Sequence, residues 1–315
     1  MKLIDTHTHL YEESFAEDLD FVIKMANENG IYKMYIPNVD ETTIKPLFSL
    51  CEKYDCCIPM MGLHPTSIDE NFKKSLSIIK DTLFKTPEKF CAVGEIGIDL
   101  YWDKTFLEQQ IIAFKEQVNW ALELRKPFIV HARKSFDEIY HCLKTINKNK
   151  YSGIFHCFGG DLNQAKLLIE MGFKIGIGGV ITFKNSKLSE IVKQIDIKDI
   201  VLETDSPYLA PVPYRGKENG PKYIPLIVED YYGLREFCQN TVDKLDNRCG
   251  YCYLSRLEEV AKYASENGFD AFTTTLFISP YQNHELIIAV AKKVAEKYGV
   301  EFVYQDFREG FRIGQ

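Results

Sequence analysis

His7 and His9 stand one residue apart at the end of the first apolar stretch, Leu3-Ile4-Asp5-Thr6-His7-Thr8-His9. Side chains two apart on a β-strand point to the same face, so the pair can hold one metal ion from a single strand. The arrangement recurs along the chain, where short apolar runs end at Glu95, His131, His156 and Asp205. Four imidazoles and two carboxylates at strand ends are the donor set of a two-metal hydrolytic site.

Hydrolysis of a phosphodiester needs a hydroxide at neutral pH and a sink for charge on the phosphoryl group, and paired metal ions supply both. Glu95, on a middle strand, is expected to bridge the ions. His7 and His9 would complete one ion's shell, and His131 and His156 the other's. Asp205 is expected to bind metal, to accept a proton from the attacking water, or both, and with Glu95 it forms the catalytic pair. Glu203, two residues earlier on the same strand face, is expected to orient Asp205. Taken singly, a His on an apolar strand is ordinarily a hydrogen-bonded core residue, and a Glu after Gly94 can cap a helix. Together they favour metal, because independent core histidines have no reason to share one end of a fold.

Strand-like runs that could carry these residues lie at Leu3–Thr6, Lys33–Ile36, Cys57–Gly62, Cys91–Gly94, Phe128–Val130, Gly153–Phe155, Phe173–Ile177 and Ile200–Leu202. Helical patterns alternate with them. In Phe106–Leu124, for example, Phe106, Leu107, Ile111, Phe114, Val118 and Ala121 recur at helical spacing. Eight parallel strands, each followed by a helix, describe an α/β fold, a TIM (β/α)8 barrel, which typically needs about 250 residues and places its active site at the strands' C-terminal ends. A doubly wound open sheet is the alternative, but it would scatter strand ends this far apart in sequence. Past Ser206–Pro213 the eighth helix, starting near Tyr223–Val228, looks brief. From there the chain reads as a partial α/β unit, with helices expected around Leu234–Lys244, Ser255–Asn267 and His284–Tyr298 and strands at Ala271–Ile278 and Val300–Tyr304, which divides it into residues 1–228 and 229–315.

The 315 residues carry a net charge of −7, which gives no overall pull toward nucleic acid or anionic membrane. No run of about 18 apolar residues marks a membrane span. Asp5 and His7 stand where the apolar core of a signal peptide would be. Nine cysteines in such a chain favour reduced thiols and a cytoplasmic location.

The motifs Ile4-Asp5-Thr6-His7-Thr8-His9, Gly62-Leu63-His64-Pro65, Gly94-Glu95-Ile96-Gly97-Ile98-Asp99, His131-Ala132-Arg133, His156-Cys157-Phe158-Gly159-Gly160 and Glu203-Thr204-Asp205-Ser206-Pro207-Tyr208 resemble the TatD family of metal-dependent deoxyribonucleases. The resemblance covers about residues 1–228. It implies a barrel of the amidohydrolase type, two divalent ions (Zn, Mn or Mg) and removal of nucleotides from DNA ends. The implied ligands are His7, His9, Glu95, His131, His156 and Asp205. His64 is open between a phosphate contact and a turn-holding role. Arg133 and Arg215 are candidate phosphate clamps, with structural ion pairs as the alternative. His141 reads as a surface residue.

Arg248-Cys249-Gly250-Tyr251-Cys252-Tyr253, the stretch Gly268–Leu276, the stretch Ile278–His284 and Asp306–Arg312 resemble epoxyqueuosine reductase of the QueH type. That resemblance implies a tRNA substrate and an iron–sulfur cluster, with Cys249 and Cys252 as two of its ligands. A cluster takes about four ligands, so reductase activity is expected to be lost here. The two resemblances meet around Leu226–Asp230, as in a fused or truncated gene product. Three readings follow for function: a metal-dependent nuclease acting on DNA or another phosphodiester, a redox enzyme of tRNA modification, or a barrel that binds without turnover.

Overall fold

Short runs rich in β-branched and small apolar residues build a ring of eight parallel strands in a computed structural model that describes residues 2–146, 150–229, 248–279 and 282–308. The strands are β1 (Leu3–Asp5), β2 (Ile31–Ile36), β3 (Cys57–Pro59), β4 (Val93–Asp99), β5 (Phe128–Arg133), β6 (Gly153–Phe155), β7 (Phe173–Ile177) and β8 (Ile200–Leu202). β1, β2 and β3 pair in that order, and so do β4 through β8. Two bridges join these arcs, Met61 to Val93 and Thr8 to Ser206. Thr6 N also donates to Leu202 O at 3.0 Å, so β1 meets β8 and the barrel closes.

One helix follows each strand: α1 (Leu19–Glu28), α2 (Ile44–Lys53), α3 (Phe72–Lys85), α4 (Leu107–Glu123), α5 (Phe136–Ile146), α6 (Leu162–Glu170), α7 (Leu188–Val192) and α8 (Ile224–Glu229). Asp161 opens α6 through a capping box with Gln164, which satisfies two otherwise orphaned amides. α8 is brief, as its sequence implies, yet Ile224 and Ile227 are buried.

α4 buries Ala113, Phe114, Val118 and Ala121 at the expected spacing, but also two glutamines. Gln117 accepts from Leu63 N at 2.7 Å and donates to Leu63 O. Gln110 accepts from Asp99 N at 2.8 Å and donates to Asp99 O. Buried amides of this kind are stable only when paired. Here they fix the chain beside His64 and at the end of β4.

β4 departs from its sequence reading. It runs on to Asp99, fully buried throughout, so Glu95 lies inside the strand and not at its end. The apolar run stops at Glu95, but Ile96 and Ile98 continue the buried pattern on the other face. Gly97 permits this, because a Cβ there would meet His131 O at 1.9 Å.

Contacts divide the chain into units at Met1–Tyr231 and Tyr232–Gln315. In the second, helices Arg248–Glu266 and His284–Tyr298 accompany a two-stranded parallel sheet of Ala271–Phe272 and Glu301–Phe302. Its core includes Leu257, Ala261, Phe277, Ile287 and Ala291. The strand expected at Ala271–Ile278 stops early. The Thr274 side chain accepts from Leu276 N and starts a 3-10 turn over Thr275–Ile278. The helix expected from Ser255 begins at Arg248 and takes in Cys249 and Cys252, whose side chains lie outside the described residues. The helix expected at Leu234–Lys244 also lies outside them. Among the described residues, no helix is long and apolar enough to cross a membrane.

Candidate metal centre

β1 ends at Asp5, and His7 and His9 continue from it in extended pairing. Thr8 N donates to Tyr35 O, and His9 N donates to Ser206 O. Alternation therefore holds, and both imidazoles point inward, with Nε2 atoms 3.2 Å apart. Two nitrogens on one tetrahedral zinc, each about 2.0–2.1 Å from it, would stand roughly 3.3 Å apart. The buried Glu95 carboxylate lies beside them. Its Oε2 is 3.0 Å from His7 Nε2 and 3.9 Å from His9 Nε2. Its Oε1 faces the other way, 2.8 Å from His131 Nδ1, 3.5 Å from His64 Nε2 and 3.8 Å from His156 Nε2. Asp205 Oδ1 stands 3.5 Å from both His9 Nε2 and His156 Nε2, and 3.9 Å from His7 Nε2.

All six residues expected from sequence converge here, and His64 joins them. Three-donor groupings form at His7–His9–Glu95, His7–His156–Asp205 and His64–Glu95–His131. Glu95 is common to the first and third, with one oxygen toward each, as a bridging carboxylate requires. His156 belongs less exclusively to the His131 side than its sequence reading held, since its ring stacks on that of His7 with centroids 3.5 Å apart.

The outer nitrogens show whether this set suits a metal. A ligating imidazole typically binds metal through one nitrogen and engages a hydrogen-bond partner through the other. His131 Nε2 pairs with Asp99 Oδ2 at 2.9 Å. His64 Nδ1 pairs with Thr66 Oγ1 at 2.6 Å, and His9 Nδ1 with the Tyr11 hydroxyl at 3.2 Å. His156 Nδ1 lies 3.1 Å from Glu203 Oε1, too poorly aligned to count as a hydrogen bond. His7 Nδ1 is likewise buried without a hydrogen-bond partner among the described residues. The inner nitrogens and carboxylate oxygens are left to face one another across a shared space, and mixed imidazole and carboxylate donors suit Zn or Mn.

Charge in the cluster follows from this crowding. Burial opposes a proton on His131, but Asp99 and Glu95 outweigh it and raise its pKa to about 9. Burial likewise opposes charge on His156, yet Glu203, Asp205 and Glu95 lift it to about 10. Burial and the neighbouring His156 hold His7 below its ordinary value. Burial works against the Glu95 carboxylate, but the surrounding imidazoles hold it well below the usual range. Asp205 is also held low, its burial outweighed by His156, His9 and His7.

Glu203 does not orient Asp205 as expected. It faces His156 and accepts from Cys157 N. The alternation behind the expectation breaks because β8 stops at Leu202 and Asp205 takes a left-handed φ of +56°. Gly176 makes room for the displaced carboxylate, since a Cβ there would lie 2.5 Å from Glu203 Oε2. Asp205 is instead fixed by its own amide, which donates to His7 O at 2.9 Å. Asn219 adds to this, donating to Thr204 O and Tyr208 O on either side of it.

Arg133 lines the cavity above the cluster, which measures about 1040 Å³. Arg215 does not line it and sits over the Phe183 ring instead. His141 is exposed on α5. Asp99 and Gln110 were missed from sequence. Asp99 had a signal, since it lies four residues past Glu95 and so on the same strand face.

A family profile described as TatD related DNase matches residues 4–273. The chain belongs to that family. YabD of Bacillus subtilis (strain 168), named an uncharacterized metal-dependent hydrolase, is 34% identical over 235 residues, covering 74% of this chain and 91% of the relative. The crystal structure of the TatD homologue YjjV from Escherichia coli K12 matches with a TM-score of 0.69 at 30% identity, covering 74% of this chain and 90% of that one. A TatD family hydrolase from Entamoeba histolytica shares the fold, with a TM-score of 0.66 at 23% identity over 75% of this chain and 92% of its own. This TatD chain is therefore a metal-dependent hydrolase. The family match runs past the barrel into the stretch read from sequence as reductase-like, and none of these matches supports the QueH resemblance.

Proposed function

We propose that this chain is a divalent-metal-dependent phosphodiesterase that removes nucleotides from DNA ends. The observation that carries the reading is the Glu95 carboxylate, which presents one oxygen to His7 and His9 and the other to His64, His131 and His156. His7, His9 and Asp205 would hold one ion, and His131 and His156 the other, with Glu95 shared. Bound there, two divalent ions supply a hydroxide at neutral pH and neutralise charge on the phosphoryl group.

The protein's own groups account for the remaining steps. Asp205 is partly buried and held ionised by the surrounding imidazoles, so it can accept a proton from the attacking water. Asp99 keeps His131 turned with Nδ1 inward. Arg133 at the rim can pair with a phosphate oxygen. A reductase role for Cys249 and Cys252 forms no part of this reading, since two cysteines cannot by themselves hold a cluster that takes about four ligands.

The test is metal analysis of purified protein, coupled to nuclease assays on chelated protein with Zn, Mn or Mg restored. Activity should vanish on chelation and return with metal. Asp205→Asn should lower kcat by at least about 100-fold while leaving the thermal midpoint near that of the parent. Full activity in that variant, or cleavage by chelated protein, would sink the proposal.

A further inference from the structure

The metal cavity opens onto aromatic side chains that the ligand chemistry does not use. Tyr101 and Trp102 follow β4 and line the cavity together with Tyr208, from the loop after β8. Trp102 is 72% exposed, the most open of the three. Leaving so much apolar ring in water forgoes the stabilisation that burial would give.

These rings are tied to the metal centre. Asp99 Oδ2 holds His131 Nε2, while Asp99 Oδ1 accepts from Tyr101 N at 2.9 Å. The Arg133 guanidinium lies 3.8 Å from the Tyr101 ring centroid and 5.2 Å from that of Trp102. Tyr101 and Trp102 meet edge to face with centroids 4.9 Å apart. One carboxylate thus fastens both a ligand imidazole and the backbone of the aromatic pair.

Charge narrows what could sit there. Arg133 and Lys134 share the lining with Glu12, Asp137 and Glu138, so the rim offers no basic stripe to track a phosphate backbone. A nucleotide held at this mouth needs a second source of affinity beyond its phosphate. Stacking of a base on an aromatic face supplies one, tolerates any sequence, and is reinforced by a neighbouring arginine plane.

We propose that Trp102, braced by Tyr101 and Arg133, is a base-stacking subsite for the nucleotide whose phosphodiester lies at the metal centre. This rests on the phosphodiesterase reading above, and the test separates the two. The chain has two tryptophans, and Trp120 is buried, so Trp102 is the solvent-facing emitter. Titrating the full chain with dAMP should quench its fluorescence saturably. Deoxyribose 5-phosphate, which lacks a base, should not, and Trp102→Phe should lose the effect. In steady-state kinetics the parent should show a KM about 10-fold lower for an intact terminal nucleotide than for an abasic one. Trp102→Ala should erase that preference, and Trp102→Phe should restore part of it. Equal quenching by the two ligands, or a preference that survives in Trp102→Ala, overturns the subsite even if the chain cleaves phosphodiesters. Base-dependent quenching in a protein that cleaves none supports the subsite and removes the phosphodiesterase reading.

Discussion

His131 and His156 show how single residues tune the centre. In metal-free protein both stay protonated well above the ordinary value of 6.5, to about 9 and about 10. A histidine whose folded pKa is raised contributes stability that is complete below its unfolded pKa and is lost as pH climbs through the folded one. The urea midpoint of metal-free protein should therefore fall between about pH 7 and pH 10, followed by circular dichroism. Metal must displace these protons, so its affinity should rise over the same window, measured by competition with a chelator. Asp99 acts one step further out. Asp99→Asn keeps the shape but removes the charge behind His131, and should weaken metal binding by roughly 10- to 100-fold in the same competition assay. Unchanged affinity would mean that the contact orients nothing.

At the scale of elements, β4 and α4 set the geometry. Gly97 lets the β4 backbone pass against that of β5 at His131, and any side chain there would collide with a carbonyl that cannot swing aside. Gly97→Ala should cost about 1–3 kcal/mol and reduce metal content, read by urea denaturation and elemental analysis. A variant that binds metal normally at parental stability would show that the strands part freely. Most strands were legible in sequence because their apolar runs are short and sharply bounded. β4 was cut short because a carboxylate interrupts the run, and only the gathered cluster makes a buried Glu95 tolerable. Nothing in the sequence marks the glutamines of α4, since their partners, Leu63 and the Asp99 backbone, lie on other elements.

For the whole molecule, closure of the ring is what brings residue 7 beside residue 205. The buried Asp5 carboxylate accepts from the Thr204 amide and hydroxyl, and burial raises its pKa to about 7. Ions held between distant strands act as cross-links that only the folded barrel can make. Divalent metal at 100 times its dissociation constant should stabilise the barrel by about 2.7 kcal/mol. Calorimetry with and without metal should show this as a higher midpoint for the barrel, and no shift would count against a preformed centre.

The sequence alone picked out the six candidate donors, the shared face of His7 and His9, and the alternation of strands with helices. Each of these depends on local periodicity and residue chemistry, which a chain carries before it folds. Tertiary structure alone decided that His64 joins the cluster, that Asp99 stands behind His131, and that Glu203 serves His156 and not Asp205. Those pairings cross between strands, so they depend on how the ring closes and on where the backbone leaves its pleat, as it does at Asp205.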